Sequence, residues 1–257
     1  MNAVIIGSGN VAEAFARALP EAGMTVVQIF ARNAVRGRML AGLAGCGWTD
    51  KPSELAAAEL YIAAVSDRAI GEVLQPLSLP DGSVAVHVSG AQPLSVIPEK
   101  FARRGVVYPL QTFTAGRRID FAEIPLFLEA SDDETLKMLH EFASGLSKNI
   151  FDMDSVHRAR LHLTGVFACN FVNAMYGAAN RIAAEAGVPF GILTPMIEET
   201  ARKAVESGNP ESVQTGPAIR HDRVTMERHC ELLASAGDAE LLTIYETVSK
   251  YIYGKKL

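Results

Sequence analysis

The first fifteen residues constrain the fold most. Val4-Ile5-Ile6-Gly7-Ser8-Gly9-Asn10-Val11-Ala12-Glu13-Ala14-Phe15 joins a short apolar run to a helical pattern through a glycine turn. The run Asn2–Ile6 is continuous rather than alternating, which suits a parallel strand buried on both faces. Val11, Phe15, Ala18 and Leu19 then fall along one side of a helix spanning 11–22. A strand that feeds a helix through so tight a turn commits the chain to βαβ winding. The alternation continues. Strand patterns at 24–31, 59–65, 84–88, 106–110, 125–129 and 149–153 are interleaved with helical patterns at 34–43, 69–77 and 133–146. This predicts a Rossmann-like, doubly wound, mostly parallel α/β sheet over residues 1–153.

The pattern changes near Asp152-Met153-Asp154. Residues 155–187 and 190–207 read as helices divided by Gly187-Val188-Pro189, and 209–217 as a loop rich in Gly, Pro and Ser. Residues 223–236 and 239–253 close the chain as helices. We therefore expect an all-α C-terminal domain over 154–257, a division that 257 residues accommodate comfortably.

The turn itself has a chemical reading. Gly7 permits the bend, Gly9 lets a backbone approach a pyrophosphate without a Cβ in the way, and Ala12 lets the helix pack close to the strand. Backbone N–H groups of Gly7, Ser8, Gly9, Asn10 and Val11 would then face the phosphates. A dinucleotide site of the NAD type places Asp or Glu at the end of the second strand to hold the ribose hydroxyls. Here "VVQIFARN" ends in Arg32 and Asn33, with Arg36 one turn on, and no carboxylate. A guanidinium clamps a 2′-phosphate, so the expected cofactor is NADP, held by Arg32, Asn33 and Arg36. The ligand crevice of such sheets lies at the carboxyl ends of the strands. That adds Val65 and Ser66 to the cofactor side, and Ser89, Gly90, Gln111 and Thr112 as substrate-side candidates. Each of these is also ordinary turn chemistry.

Composition narrows the function. A net charge of −5 with no basic stripe argues against nucleic acid, and no segment offers ~20 uncharged apolar residues for a membrane span. The N-terminal run lacks the basic flank of a signal peptide. Cys46, Cys169 and Cys230 are isolated, which fits a reducing cytoplasm. His157, His162, His221 and His229 lack zinc-ligand spacing, so no metal is expected.

Taken together, "VIIGSGNVAEAFARAL", "YIAAVSDRAI", "HVSGAQPL", "VYPLQTF", "HLTGVFACNFVNAM" and "TGPAIRHD" resemble a family of NADP oxidoreductases with a Rossmann-like N-terminal domain and a helical C-terminal domain of unknown function. The wider group is 6-phosphogluconate dehydrogenase-like and includes β-hydroxyacid dehydrogenases, ketopantoate reductase and pyrroline-5-carboxylate reductase. The resemblance implies a homodimer through the helical domain and a small-molecule substrate bound between the domains. Hydroxyacid dehydrogenases of this group carry a catalytic Lys one turn before an Asn. Asn170 resembles that Asn, but the position one turn earlier is Val166, which transfers no proton.

Hydride transfer to a carbonyl or imine needs a proton donor, and His162 is the first candidate on the same helix. On an ideal helix it precedes Asn170 by about 12 Å and about 80° of rotation. Asn170 and Asn173 are candidates to orient the substrate or the nicotinamide amide. His87 reads as structural. In "QTGPAIRHD", Arg220 is a candidate anion ligand, and Asp222 either holds Arg220 or caps the next helix. Cys169, inside a helix, reads as packed. Two function classes stay open: an NADP(H)-dependent oxidoreductase of a carbonyl or imine (or alcohol or amine), and a non-catalytic NADP-binding sensor or scaffold. Val166 favours the second and His162 near Asn170 the first.

Overall fold

The computed structural model describes residues 1–254. The chain divides into two compact units, Met1–Phe171 and Val172–Leu257. The last three residues of the expected helical domain, 255–257, lie outside the described residues.

The first unit is built on eight strands: β1 (Asn2–Ile6), β2 (Thr25–Phe30), β3 (Gly47–Thr49), β4 (Leu60–Ala63), β5 (Val84–His87), β6 (Arg103–Pro109), β7 (Leu126–Ala130) and β8 (Ile150–Asp152). They form one sheet in the order β3-β2-β1-β4-β5-β6-β7-β8. All neighbours run parallel except β6 and β7. The chain's unbroken apolar start now has its reason. Successive side chains of a strand point to opposite faces. Ala3 and Ile5 enter one core with Phe15, Leu19 and Leu40. Val4 and Ile6 enter the other with Ile70, Leu74 and Leu77.

Helices cover both faces: α1 (Asn10–Glu21), α2 (Ala34–Ala44), α3 (Ile70–Leu74), α4 (Asp133–Ser144) and α5 (Ser155–Gly165). Two features depart from the sequence reading. Strand β3 was not expected. It is three residues long, and Trp48 within it donates from Nε1 to the Ala31 carbonyl at 3.1 Å and packs where only Gly37 of α2 leaves room. Strand β6 begins at Arg103 rather than Val106. Its polar start is held by Arg103, which pairs with Glu134 at 2.7 Å and donates to Thr135 at 3.3 Å on α4.

The second unit is helical: α6 (Val172–Glu185), α7 (Thr194–Glu206), α8 (Arg223–Ser235) and α9 (Ala239–Tyr253). Contacts within it include His229 Nδ1 to the Tyr245 hydroxyl at 2.8 Å and Arg181 to Asp238 at 3.3 Å. Among its described residues, Ala218 and Leu241 are the buried hydrophobics, while Ile192, Met196, Val224, Leu232 and Val248 are exposed. Among the described residues no helix is long and apolar enough to cross a membrane.

Candidate active site

Between Ile6 and Asn10 the glycine turn takes a shape other residues would not allow. Gly7 has φ 125°, and a Cβ there would lie 2.2 Å from the Ala64 carbonyl oxygen, because β4 runs beside β1. Gly9 differs. It caps α1 from extended backbone with no side-chain acceptor, and a Cβ there would meet nothing within 4 Å. The first-turn amides of α1 thus keep their donors for something outside the fold, beside the positive end of the helix dipole. Ala12 is fully buried, as close packing of α1 on the sheet requires.

A groove of about 960 Å³ runs along the carboxyl ends of the strands. The turn residues Gly7 to Val11 form its middle. Arg32, Asn33, Asp50 and Pro52 line one end, and Ala69, Glu72, Val73 and Pro76 the wall beside them. Val65, Ser66 and Asp67 follow β4. Ser89, Gln111, Thr112, Phe113, His162 and Asn170 complete the other end. Open space at Gly9, uncapped amides and a groove of this length fit a nicotinamide dinucleotide.

The three residues expected at the 2′-phosphate separate into different tasks. Arg32 is exposed and makes no ion pair or hydrogen bond among the described residues. Asn33 caps α2, its side chain accepting from Arg36 N at 3.0 Å. Arg36 is not part of the wall. It braces the turn from behind, donating from Nε to the Ser8 carbonyl at 3.2 Å and pairing through Nη2 with Glu13 at 3.0 Å. Glu13 is 4 % exposed and also receives Arg17 Nη2 and the Gly116 amide, each at 3.0 Å. Burial works to raise its pKa, but the donors from Arg17, Gly116 and Arg36 outweigh burial, and the net direction is down. One buried carboxylate therefore ties the glycine turn, α2 and the loop after β6 together. Asp50, directly after β3, adds a carboxylate to the groove wall at the Arg32 end.

The loop after β5 is a shelf made rigid by His87 and Ser89. His87 is fully buried and accepts from Ser89 N through Nδ1 at 3.1 Å. Its proton is thereby on Nε2, which donates to the Pro93 carbonyl at 3.2 Å. Burial, and then the Arg158 charge, lower its pKa to about 4. The Ser89 hydroxyl oxygen accepts from Ala91 N and Gln92 N at 3.1 and 3.0 Å. Gly90 is not in the groove wall. A Cβ on it would lie 2.6 Å from Tyr108 Cζ and 2.8 Å from His162 Nδ1.

Helix α5 is docked on that shelf by Arg158, which is fully buried. Its guanidinium pairs with Glu129 on β7 and donates to the Gln92 carbonyl at 2.7 Å and to Ser155 Oγ at 3.2 Å. Ser155 in turn donates to Glu129 and accepts from Leu94 N at 3.0 Å. One turn beyond Arg158, His162 meets the Tyr108 hydroxyl, Nδ1 to oxygen 3.2 Å. Residues Val166–Phe171 then form a π-helix. A π turn rotates less per residue than the 100° of an α-helix, so it changes the facing of Asn170 from the ideal-helix value. His162 and Asn170 line the same groove.

Asn173 and Arg220 belong to the second unit, on α6 and just before α8, and both are exposed. Asp222 takes the capping role, accepting from Thr225 N at 3.1 Å and from the Thr225 hydroxyl at 2.7 Å. Cys169 is exposed rather than packed. Among the described residues no group of three His, Cys, Asp or Glu side chains is placed to hold a metal ion. Sequence reasoning missed Glu13, Tyr108 and Arg158. Apolar periodicity gives no signal for Glu13, which stands about 200° around the helix from Val11 and from Phe15, on the side away from their stripe.

Comparison with known proteins agrees with this architecture. Residues 124–252 match a family model described as a domain of unknown function, DUF2520, and residues 2–90 match NADP oxidoreductase coenzyme F420-dependent. A Bacteroides fragilis protein described as an NADP oxidoreductase is 38 % identical, with 99 % of this chain and 98 % of that chain covered and a TM-score of 0.93. An imine reductase from Streptomyces aurantiacus shares the fold at 18 % identity, TM-score 0.67, covering 98 % of this chain and 96 % of the other. A reductive aminase from Aspergillus terreus in complex with NADPH and ethyl-5-oxohexanoate does so at 17 % identity, TM-score 0.71, covering 97 % and 92 %. No curated protein matches the chain. The chain belongs to the DUF2520 family of nicotinamide-dependent oxidoreductases, in which a Rossmann-like domain precedes a helical region.

Proposed function

We propose that the protein is an NADP(H)-dependent oxidoreductase acting on a small carbonyl or imine compound, or on the matching alcohol or amine. The observation that carries this reading is that His162 and Asn170 share one groove with the uncapped glycine turn. NADPH, when bound, supplies the hydride. The amides at Gly9 to Val11 receive the pyrophosphate, and Arg32, which has no ion pair or hydrogen bond among the described residues, receives the 2′-phosphate. His162 handles the proton and Asn170 orients the acceptor. Ser89, Gln111 and Thr112 bound the substrate end with neutral polar groups. The imine reductase and reductive aminase folds support a C=N or C=O acceptor.

The same reading makes the protein a homodimer through the helices from residue 155 onward. Among its described residues the helical unit buries Ala218 and Leu241 and exposes many larger hydrophobics, faces that a second copy would cover. Three unpaired thiols fit a reducing, cytoplasmic setting.

The test is titration with NADPH and NADH, followed by NADPH oxidation against carbonyls alone and carbonyls mixed with amines. Tighter NADPH binding with turnover is expected. Tighter NADH binding contradicts the cofactor assignment, and NADPH binding without turnover of any acceptor contradicts the catalytic one.

A further inference from the structure

The Tyr108 side chain sits on β6 against Phe127, ring centroids 6.3 Å apart, and edge-on to His162 at 6.0 Å. Tyr108 is only 8 % exposed. A hydroxyl this enclosed needs an acceptor for its hydrogen or loses a bond that water would have made. Among the described residues its hydrogen-bond partner is His162 Nδ1, at 3.2 Å. Two proton arrangements are conceivable. If Nδ1 carried the ring proton, it would donate to the phenol oxygen and strand the phenol hydrogen. If the phenol donates, both groups are satisfied. Burial also raises the Tyr108 pKa, so the phenol keeps its proton.

The pair meets because Gly90 has no side chain. Its backbone is not left-handed, so space rather than conformation calls for glycine, and a Cβ would come within 2.6 Å of Tyr108 and 2.8 Å of His162. His87, Ser89 and Arg158 hold the shelf that carries Gly90 under the pair.

The geometry points to Tyr108 as the positioning residue for His162: the phenol O–H donates to Nδ1 and holds the neutral imidazole as the tautomer with its proton on Nε2. This rests on the reading of His162 as the proton-handling residue. Its consequence is chemical. A neutral His162 then offers a donor, which suits the oxygen of a carbonyl or the nitrogen of an imine. It does not suit a hydroxyl or ammonium hydrogen, so the preferred ligand is the unsaturated compound.

The test uses the full-length protein with ¹⁵N-labelled histidine, with no cofactor or substrate added. Long-range ¹H–¹⁵N correlation reads the tautomer of each of the six histidines, and loss of one set in His162→Gln assigns His162. With the ring neutral, the wild type is expected to carry its proton on Nε2, with Nδ1 unprotonated and hydrogen-bonded. Tyr108→Phe and Gly90→Ala should each shift the Nδ1 resonance and relax the ring toward the mixture of a solvent-exposed histidine. A proton on Nδ1 in the wild type would overturn the assignment, as would Tyr108→Phe with an unmoved Nδ1 resonance. Should Gly90→Ala fail to fold, the other two spectra decide. A negative result leaves the oxidoreductase reading intact, and absence of NADPH turnover leaves the tautomer intact.

Discussion

Arg158 and His162 stand one turn apart on α5, and the clamp on the first sets the place of the second. Arg158 is fully buried between Glu129 and the Gln92 carbonyl, so α5 cannot turn about its axis without breaking that network. His162 therefore meets Tyr108 with its backbone already fixed. The groove-lining His162 is held by contacts to the sheet rather than by a mobile loop.

The clamp has a measurable cost when broken. Arg158→Met leaves Glu129 without its cation and the Gln92 carbonyl without its donor. Removing one partner of a buried pair costs about 3–5 kcal/mol, and Glu129 is partly exposed, so the lower end is expected. Urea unfolding measures it. A loss under about 1 kcal/mol would show the network to be a minor contributor.

His87 makes stability depend on acid. Its folded pKa is about 4 against 6.5 for the unperturbed ring. The unfolded state therefore binds a proton that the folded state refuses between those values. Stability from neutral His87 is fully present above pH 6.5 and is lost as pH falls toward 4. The span amounts to about 3 kcal/mol. Unfolding at pH 7.5 and 4.5 should show His87→Gln losing less than the wild type by an amount of this order. Equal losses would mean that His87 is not held neutral.

Arg32 should set cofactor choice. A hydrogen bond to an ionised group is worth about 1.5–3 kcal/mol, or about 10–100-fold in affinity. Arg32→Ala is expected to weaken NADPH binding by about that factor and to leave NADH nearly unchanged. Fluorescence titration of both cofactors decides, and an equal loss for the two would assign Arg32 a structural role.

The second unit should not stand alone. With Ala218 and Leu241 as its buried hydrophobics, it exposes Ile192, Met196, Leu232 and Val248 to solvent unless another chain covers them. Sedimentation at micromolar concentration is expected to give a dimer. A monomer there would require those faces to remain solvated.

What could be read from the sequence was local. The glycine turn and its flanking strand and helix are contiguous, and their geometry follows from residue types in order. The Asp222 cap was visible as one of two alternatives. Strand β3 was not visible, because three residues carry no periodicity and its place depends on Trp48 packing over Gly37. Gly90 looked like a ligand contact because glycines at strand ends commonly are. Its neighbours Tyr108 and His162 come from 18 and 72 residues away, a meeting no local pattern encodes. Arg36 was read as a ligand of the 2′-phosphate, since nothing in a helix signal reveals that Glu13 of another helix is buried behind it. The π turn that carries Asn170 escaped for the same reason: its residues keep helical composition while their register changes.

The most direct measurement compares His162→Ala with the wild type in two assays, NADPH binding and NADPH-dependent turnover of an acceptor found by screening. A general acid is worth about 10²–10⁴ in rate. His162 lies at the end of the groove away from Arg32, so cofactor affinity is expected to stay within about twofold while turnover falls by about that factor. Turnover equal to that of the wild type, with affinity unchanged, would contradict the role of His162.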